Sequence, residues 1–184
     1  QGVVLGDRGP IFYDEGITPA FGTPSGKIEL FSQQMADAGL DPMPEFRGTE
    51  PLEPGQFYLL TGRAPMHTFG RTTNNRFLSQ VFSENPLWVN AQTAAELGLK
   101  QGSQVTLTNH DGVRSPPFKV QVTQRIRPDT LYTVHGYGHH SKKLTFANER
   151  GVSAMDLVTN PKKDPAMGGT ALNGARVRIE RHVA

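Results

Sequence analysis

The chain has 184 residues, with 19 Lys and Arg against 17 Asp and Glu, a net charge of +2 and no cysteine. That length suffices for one domain with a real core, and the basic residues are scattered, so no Lys/Arg run marks a nucleic-acid tail. Lack of cysteine excludes disulfides, iron–sulfur clusters and Cys-ligated zinc within these residues, and no apolar run reaches membrane-spanning length.

Glycine (20) and proline (14) are abundant, which favours a β-rich, loop-rich domain. Residues 1–22 are punctuated by Gly and Pro and carry no periodic pattern. They read as an arm or linker, and the start Gln1-Gly2-Val3-Val4 reads as the interior of a longer polypeptide. Residues 23–184 are expected to form the domain proper.

Lys27 to Phe31 alternates polar and apolar, the pattern of a half-buried strand. Ser32 fits the N-cap of a short helix through Ala38, with Gly39 ending it. Asp41 to Pro54 holds four prolines and reads as a connector. Phe57 to Leu60 is a strand that runs into a polar segment, and Asn74 to Phe82 is a short helix. Trp88-Val89 ends a strand. Asn90 fits an N-cap for a helix over Ala91 to Leu97, with Gly98 at the left-handed position that follows. Val105 to Thr108 is a strand, Asp111-Gly112 a hairpin turn. Phe118, Val120 and Val122 share one face of the next strand. Leu131 to Val134 and a segment around Val177 and Ile179 complete the set. At least six strands and two short helices, joined by long crossing loops, predict a mainly β chain closed into a barrel. No internal repeat is visible.

The polar segment Thr61 to Asn75 is rich in Thr, Asn, Arg, His and Gly. Such a segment cannot form core, and it offers many donors to a large, phosphate-bearing ligand. Gly62 permits close backbone approach. Arg63 suits a phosphate or a ring carbonyl, with Thr61 beside it. His135, His139 and His140 follow a strand on a Gly-rich loop with no adjacent carboxylate, so their spacing does not make a metal site. No nucleophile–base pairing, G-x-S-x-G elbow, phosphate loop or dinucleotide fingerprint is present.

Five stretches, in order, resemble the C-terminal domain of the molybdopterin oxidoreductases, the dimethyl-sulfoxide-reductase superfamily. They are Thr23-Pro24-Ser25-Gly26-Lys27-Ile28-Glu29-Leu30, the Thr61-Gly62-Arg63 motif with its loop, and Leu87-Trp88-Val89-Asn90 with the helix and Gly98-Leu99 after it. The fourth and fifth are Val134-His135-Gly136-Tyr137-Gly138-His139-His140-Ser141 and Asp164-Pro165-Ala166-Met167-Gly168-Gly169. The resemblance runs from Thr23 to Arg181.

It implies a double-psi β-barrel that closes over molybdenum bis(molybdopterin guanine dinucleotide). It implies that Thr61, Gly62, Arg63, His67, Thr68, Arg71 and Asn74 contact pterin or pyrophosphate. His139, His140 and Ser141 would line the cofactor from a second loop. Asn90 would touch guanine or ribose, and Asn160 and Gly169 would finish the dinucleotide pocket. The loop departs from the form seen in nitrate reductases and formate dehydrogenases, and lies nearest the thiosulfate/polysulfide reductase branch. Such a domain belongs to a catalytic subunit whose other domains bring the metal ligand and an iron–sulfur cluster. The implied partners are those domains, an iron–sulfur electron-transfer subunit and a membrane anchor subunit, in bacterial anaerobic respiration at the periplasmic side. The fragment alone would be inactive. A different class, a stand-alone double-psi barrel that serves as an adaptor for protein or nucleic acid, is the alternative.

Overall fold

The structure is a computed structural model that describes residues 21–43, 45–46, 48 and 50–182. It divides into two units, residues 1–47 and 48–184. The expected arm at residues 1–22 lies almost wholly outside the described residues.

In the first unit, Ser32 caps helix α1 (Gln33–Asp37), and its hydroxyl accepts from the Met35 amide at 3.3 Å. Gly39 follows at φ +70°, as a helix-ending glycine should. The strand expected over Lys27 to Phe31 does not form. Its apolar positions Ile28 and Leu30 are 70% and 73% exposed. Alternation supplies a face to bury, but a strand also needs a partner ladder, and none pairs here among the described residues. A turn forms instead, with Gly26 at φ +65° and its amide bonded to the Thr23 carbonyl at 2.9 Å.

The second unit is a closed barrel of six strands, in the order β1-β5-β2-β4-β3-β6. The strands are β1 (Gln56–Gly62), β2 (Leu87–Asn90), β3 (Gln104–Asn109), β4 (Phe118–Thr123), β5 (Thr130–Val134) and β6 (Ala175–Arg181). Two short helices accompany them, α2 (Arg76–Val81) and α3 (Ala91–Glu96). The strand stretches are Val-, Leu- and Thr-rich, and their inward residues are buried completely. Leu59, Leu87, Val89, Val105, Leu107, Phe118 and Leu131 all have zero exposure and form one cluster with Val120, Leu157 and Val177. Each such side chain contributes about 1.5–3 kcal/mol relative to exposure.

β1 pairs in parallel with β5, and β2 with β4; every other neighbour is antiparallel. Exchanging β1, β2 and β3 for β4, β5 and β6 maps this pairing onto itself. The barrel therefore repeats a three-strand unit about an internal two-fold, the double-psi arrangement. Strand directions then place the chain ends of β1, β3 and β5 and the starts of β2, β4 and β6 at one end. Loops 63–86, 110–117 and 135–174 emerge there; loops 91–103 and 124–129 lie at the other end.

Gly62 ends β1 for a packing reason. A Cβ on it would sit 2.5 Å from the Tyr132 hydroxyl and 2.8 Å from its ring. Tyr132 thus fills the gap beside Gly62, and its far side packs on Trp88 at 5.0 Å between ring centroids. Gly62→Ala is expected to lower unfolding free energy by about 1–3 kcal/mol through overpacking. Adding Tyr132→Leu, which vacates that space, should recover part of the loss in urea titrations.

Candidate functional site

A small second core seats the loops on the barrel end. Ala64, Val134 and Tyr137 are buried together, with Met66, Phe82 and Tyr132 packed against them. Polar braces complete the seat. Asn85 is 3% exposed, and its amide nitrogen donates to the Val134 carbonyl at 2.6 Å and the Val152 carbonyl at 2.9 Å. Its oxygen accepts from the Val152 amide at 2.8 Å. One side chain therefore joins the end of loop 63–86, the tip of β5 and loop 135–174. Gly151 leaves room for it, since a Cβ there would collide with the Asn85 oxygen.

His67 belongs to the same seat. It is buried; its Nε2 lies 2.9 Å from the Phe82 carbonyl and its Nδ1 3.2 Å from the Thr72 hydroxyl. The carbonyl can only accept, so Nε2 carries the proton. The Thr72 hydroxyl, which accepts from the Thr68 amide at 2.8 Å, serves Nδ1. Tyr137 donates to the same Phe82 carbonyl at 3.0 Å, and burial pushes its phenol up to about 12. Asn74 clamps loop to loop: its oxygen accepts from the Phe146 and Ala147 amides at 2.9 and 3.2 Å. His67 and Asn74 thus have ring or amide groups committed within the chain.

The other expected site residues are engaged to different degrees. Arg71 and His140 are exposed with no side-chain partner among the described residues, and the Thr68 and Ser141 hydroxyls are likewise exposed and unengaged. His139 is half-buried; its Nε2 donates to the Gly136 carbonyl at 3.1 Å, which leaves Nδ1 free. The Arg63 guanidinium lies over the Phe69 ring, 4.5 Å from its centroid. The Thr61 hydroxyl and amide both donate to the Asn173 oxygen, at 3.2 and 3.0 Å.

Asn160 sits on the same barrel end, docked by its amide nitrogen on Asp111 at 3.3 Å. Thr159 donates to the same carboxylate, and this bond is the first cause holding the Asp111 pKa below its ordinary value. Gly169 lies in a turn organised by Asp164, whose carboxylate accepts from the Ala166 and Met167 amides at 3.0 and 2.6 Å. Asn90 does not join the others. It lies at the opposite barrel end, where its oxygen caps α3 through the Gln92 amide at 2.8 Å and its nitrogen donates to the Ile126 carbonyl at 2.6 Å.

Ion pairing leaves two loop stretches out. Arg114, Lys119, Arg127, Lys162, Arg176 and Arg178 each pair with a carboxylate. Residues 61–76 hold Arg63, Arg71 and Arg76 and no acid; residues 135–150 hold Lys142, Lys143 and Arg150 against Glu149 alone. None of those six cations has an ion-pair partner among the described residues. The two loops therefore present positive charge, hydroxyls and imidazoles on a braced seat, a donor set that fits a polyanionic ligand with polar rings.

This architecture defines a double-psi barrel with a cationic, hydrogen-bond-rich end. A protein-family model described as "Molydopterin dinucleotide binding domain" matches residues 57–176. The chain belongs to that family, the dinucleotide-binding C-terminal domain of the dimethyl-sulfoxide-reductase group of molybdoenzymes. It is similar to the thiosulfate reductase molybdopterin-containing subunit PhsA of Salmonella typhimurium, 34% identical over 164 residues, which cover 88% of this chain and 21% of that protein. It is 24% identical over 176 residues to the dimethyl sulfoxide reductase DmsA of Escherichia coli, with 86% of this chain and 21% of that protein covered. Among solved structures, acetylene hydratase from Pelobacter acetylenicus shares the fold, with a TM-score of 0.71 at 20% identity, covering 89% of this chain and 25% of that one. The chain thus spans about a fifth of the length of these curated relatives.

Sequence reasoning missed Asn85, Phe69, Tyr132 and Asn173. Asn85 precedes Pro86 and looks like an ordinary turn residue; only long-range contacts reveal it. Asn85→Leu should cost about 3 kcal/mol or more, because buried carbonyls and an amide lose their partner. Hydrogen exchange should find the Val152 amide unprotected in that variant. A second expectation concerns pH. Burial first, then the Arg63 charge, hold the His135 pKa below its ordinary value. Its contribution to stability is therefore complete above about pH 6.5 and is lost as pH falls from there through the folded pKa. His135→Gln should flatten that part of the stability profile, and leave the carboxylate-driven loss at lower pH in place.

Proposed function

We propose that this chain is the cofactor-capping domain of the catalytic subunit of a molybdenum enzyme that reduces a sulfur oxyanion or polysulfide. The similarity to PhsA over most of the chain carries this reading. The six unpaired cations on loops 63–86 and 135–174 support it, because a bis-dinucleotide cofactor brings two pyrophosphates to neutralise. Molybdenum bis(molybdopterin guanine dinucleotide) would supply the two-electron chemistry when bound.

The chain's own residues would bind and orient it. Arg63, Arg71 and the lysines Lys142 and Lys143 face anionic oxygens. Thr68, His139, His140 and Ser141 donate to or accept from pterin edges. Thr61, Asn160 and Gly169 line the rim. Gly62, His67 and Asn74 keep the loops in shape behind these groups, and Asn90 serves α3 at the far end. No residue here is assigned bond-making chemistry, so the chain alone would be inactive. The metal ligand and iron–sulfur cluster would come from the rest of the subunit. An iron–sulfur electron-transfer subunit and a membrane anchor would complete an anaerobic respiratory enzyme, periplasmic or membrane-associated through those partners. Among the described residues no helix is long and apolar enough to cross a membrane.

Titration of the chain with GDP, followed by backbone amide shifts, tests the reading. Shifts are expected at residues 61–75 and 139–141 and not with adenine nucleotides, and Arg71→Ala should weaken binding about tenfold. Shifts confined to the 91–103 end, or equal response to both bases, would count against it.

A further inference from the structure

β1 and β5 run parallel with Gly62 opposite Val134. The next residue of each, Arg63 and His135, therefore leaves the barrel beside the other. Phe69 reaches back over both. The Arg63 guanidinium carbon lies 4.5 Å from its ring centroid, and the His135 ring stacks on it at 4.7 Å and 23°. Phe69 holds this place at φ +52°, a left-handed conformation that is uncommon for a bulky residue. Gly136 approaches this segment closely: a Cβ on it would come within 2.6 Å of the Gly70 nitrogen and 2.8 Å of the Phe69 carbonyl carbon. The residue is nevertheless 43% exposed. A left-handed backbone at an exposed aromatic motivates a functional reading of this position. Arg63 has a ring beneath it but no carboxylate partner among the described residues, so its N–H groups are open to an external acceptor.

We propose that Arg63, Phe69 and His135 form a proton-linked subsite for a phosphate-type anion, in which anion binding at Arg63 is accompanied by proton uptake at His135. The proposal rests on the reading of these loops as the seat of a phosphate-bearing cofactor, and adds a linkage to it. Phe69 is the spacer: it carries a guanidinium and an imidazole on one ring, so that the Arg63 charge disfavours a proton on His135. Burial and the Arg63 charge already hold the His135 pKa down. An anion bound at Arg63 offsets that field and so favours the protonated imidazole.

The charged and titratable surroundings are short of counter-ions. Arg63 faces His135 from the β1 end. Arg71 is the remaining cation of the Phe69–Arg71 segment. His139 follows on the same loop, with Nε2 turned to the Gly136 carbonyl. Glu149 is the one carboxylate in residues 135–150. Linkage is reciprocal. Each unit by which the anion raises the His135 pKa appears as about tenfold tighter binding below that window than above it.

The probe is the symmetrical dimethyl diester of pyrophosphate, whose acidic groups stay ionised throughout the range. The His135 ring proton is titrated by NMR in the whole chain, with and without the diester. The midpoint should rise with the diester, and binding should tighten as pH falls. Arg63→Gln should abolish both effects. Phe69→Tyr, which keeps the ring, should preserve the shift, and Phe69→Leu should lose it with amide spectra otherwise native. His135→Gln should make binding independent of pH. If the diester moves Arg71 and His139 to Ser141 but leaves the His135 midpoint in place, the linkage is wrong while the cofactor seat stands. Absence of binding at every pH would remove the subsite itself, and the GDP titration then judges the seat independently.

Discussion

Parallel pairing of β1 with β5 and of β2 with β4 is the constraint from which the rest of this fold follows. Antiparallel neighbours can be joined by a two-residue turn; parallel ones cannot. The chain must therefore leave each parallel partner, cross the barrel end and return. The internal two-fold exchanges the barrel ends, so it relates loop 63–86 to loop 124–129 and loop 91–103 to loop 135–174. Topology treats the two ends alike; the sequence breaks the symmetry, because the long member of each pair falls at the same end. Function has somewhere to sit because the backbone added there does not join the strand ladders.

Crossing loops carry polar backbone into partly buried space, where unpaired groups are expensive. Side chains solve this locally. Asn85 takes three backbone groups from two distant segments. The Phe82 carbonyl accepts from both His67 and Tyr137. At the hairpin, Asn109 does the same for β3: its nitrogen donates to the Leu157 carbonyl and the Thr159 hydroxyl, while its oxygen accepts from the Asp111 and Val113 amides. These residues hold the loops so that Arg71, His140 and Ser141 need not hold themselves.

Local signals were legible in the sequence. Ser32, Asn90 and Gly98 act as caps because capping depends on a few neighbouring atoms. All six strands were visible as short Val-, Leu-, Phe- and Thr-rich runs between turn residues, with clear alternation in Phe118, Val120 and Val122. The family resemblance supplied the barrel topology, and placed the loops that the structure gathers at one end. Lys27 to Phe31 misled because alternation says nothing about a partner strand. Gly62 was read as space for a ligand, while the structure fills that space with Tyr132, which packs there only once β5 lies beside β1. His67 and Asn74 have site-like chemistry, yet their bonds run inward to Phe82 and to the Phe146 and Ala147 amides. The two-fold escaped notice because it lives in the pairing, not in matched residues.

Six cations without ion-pair partners among the described residues sit on loops that Asn74 and Asn85 tie together, so whatever repulsion they exert is carried by those two clamps. Simple electrolyte shields like charges about as well as it shields opposite ones. Raising ionic strength should therefore relax these stretches while it weakens the surface ion pairs elsewhere on the domain. The two regions of one small domain would respond to the same salt with opposite sign, so bulk melting would report only their difference.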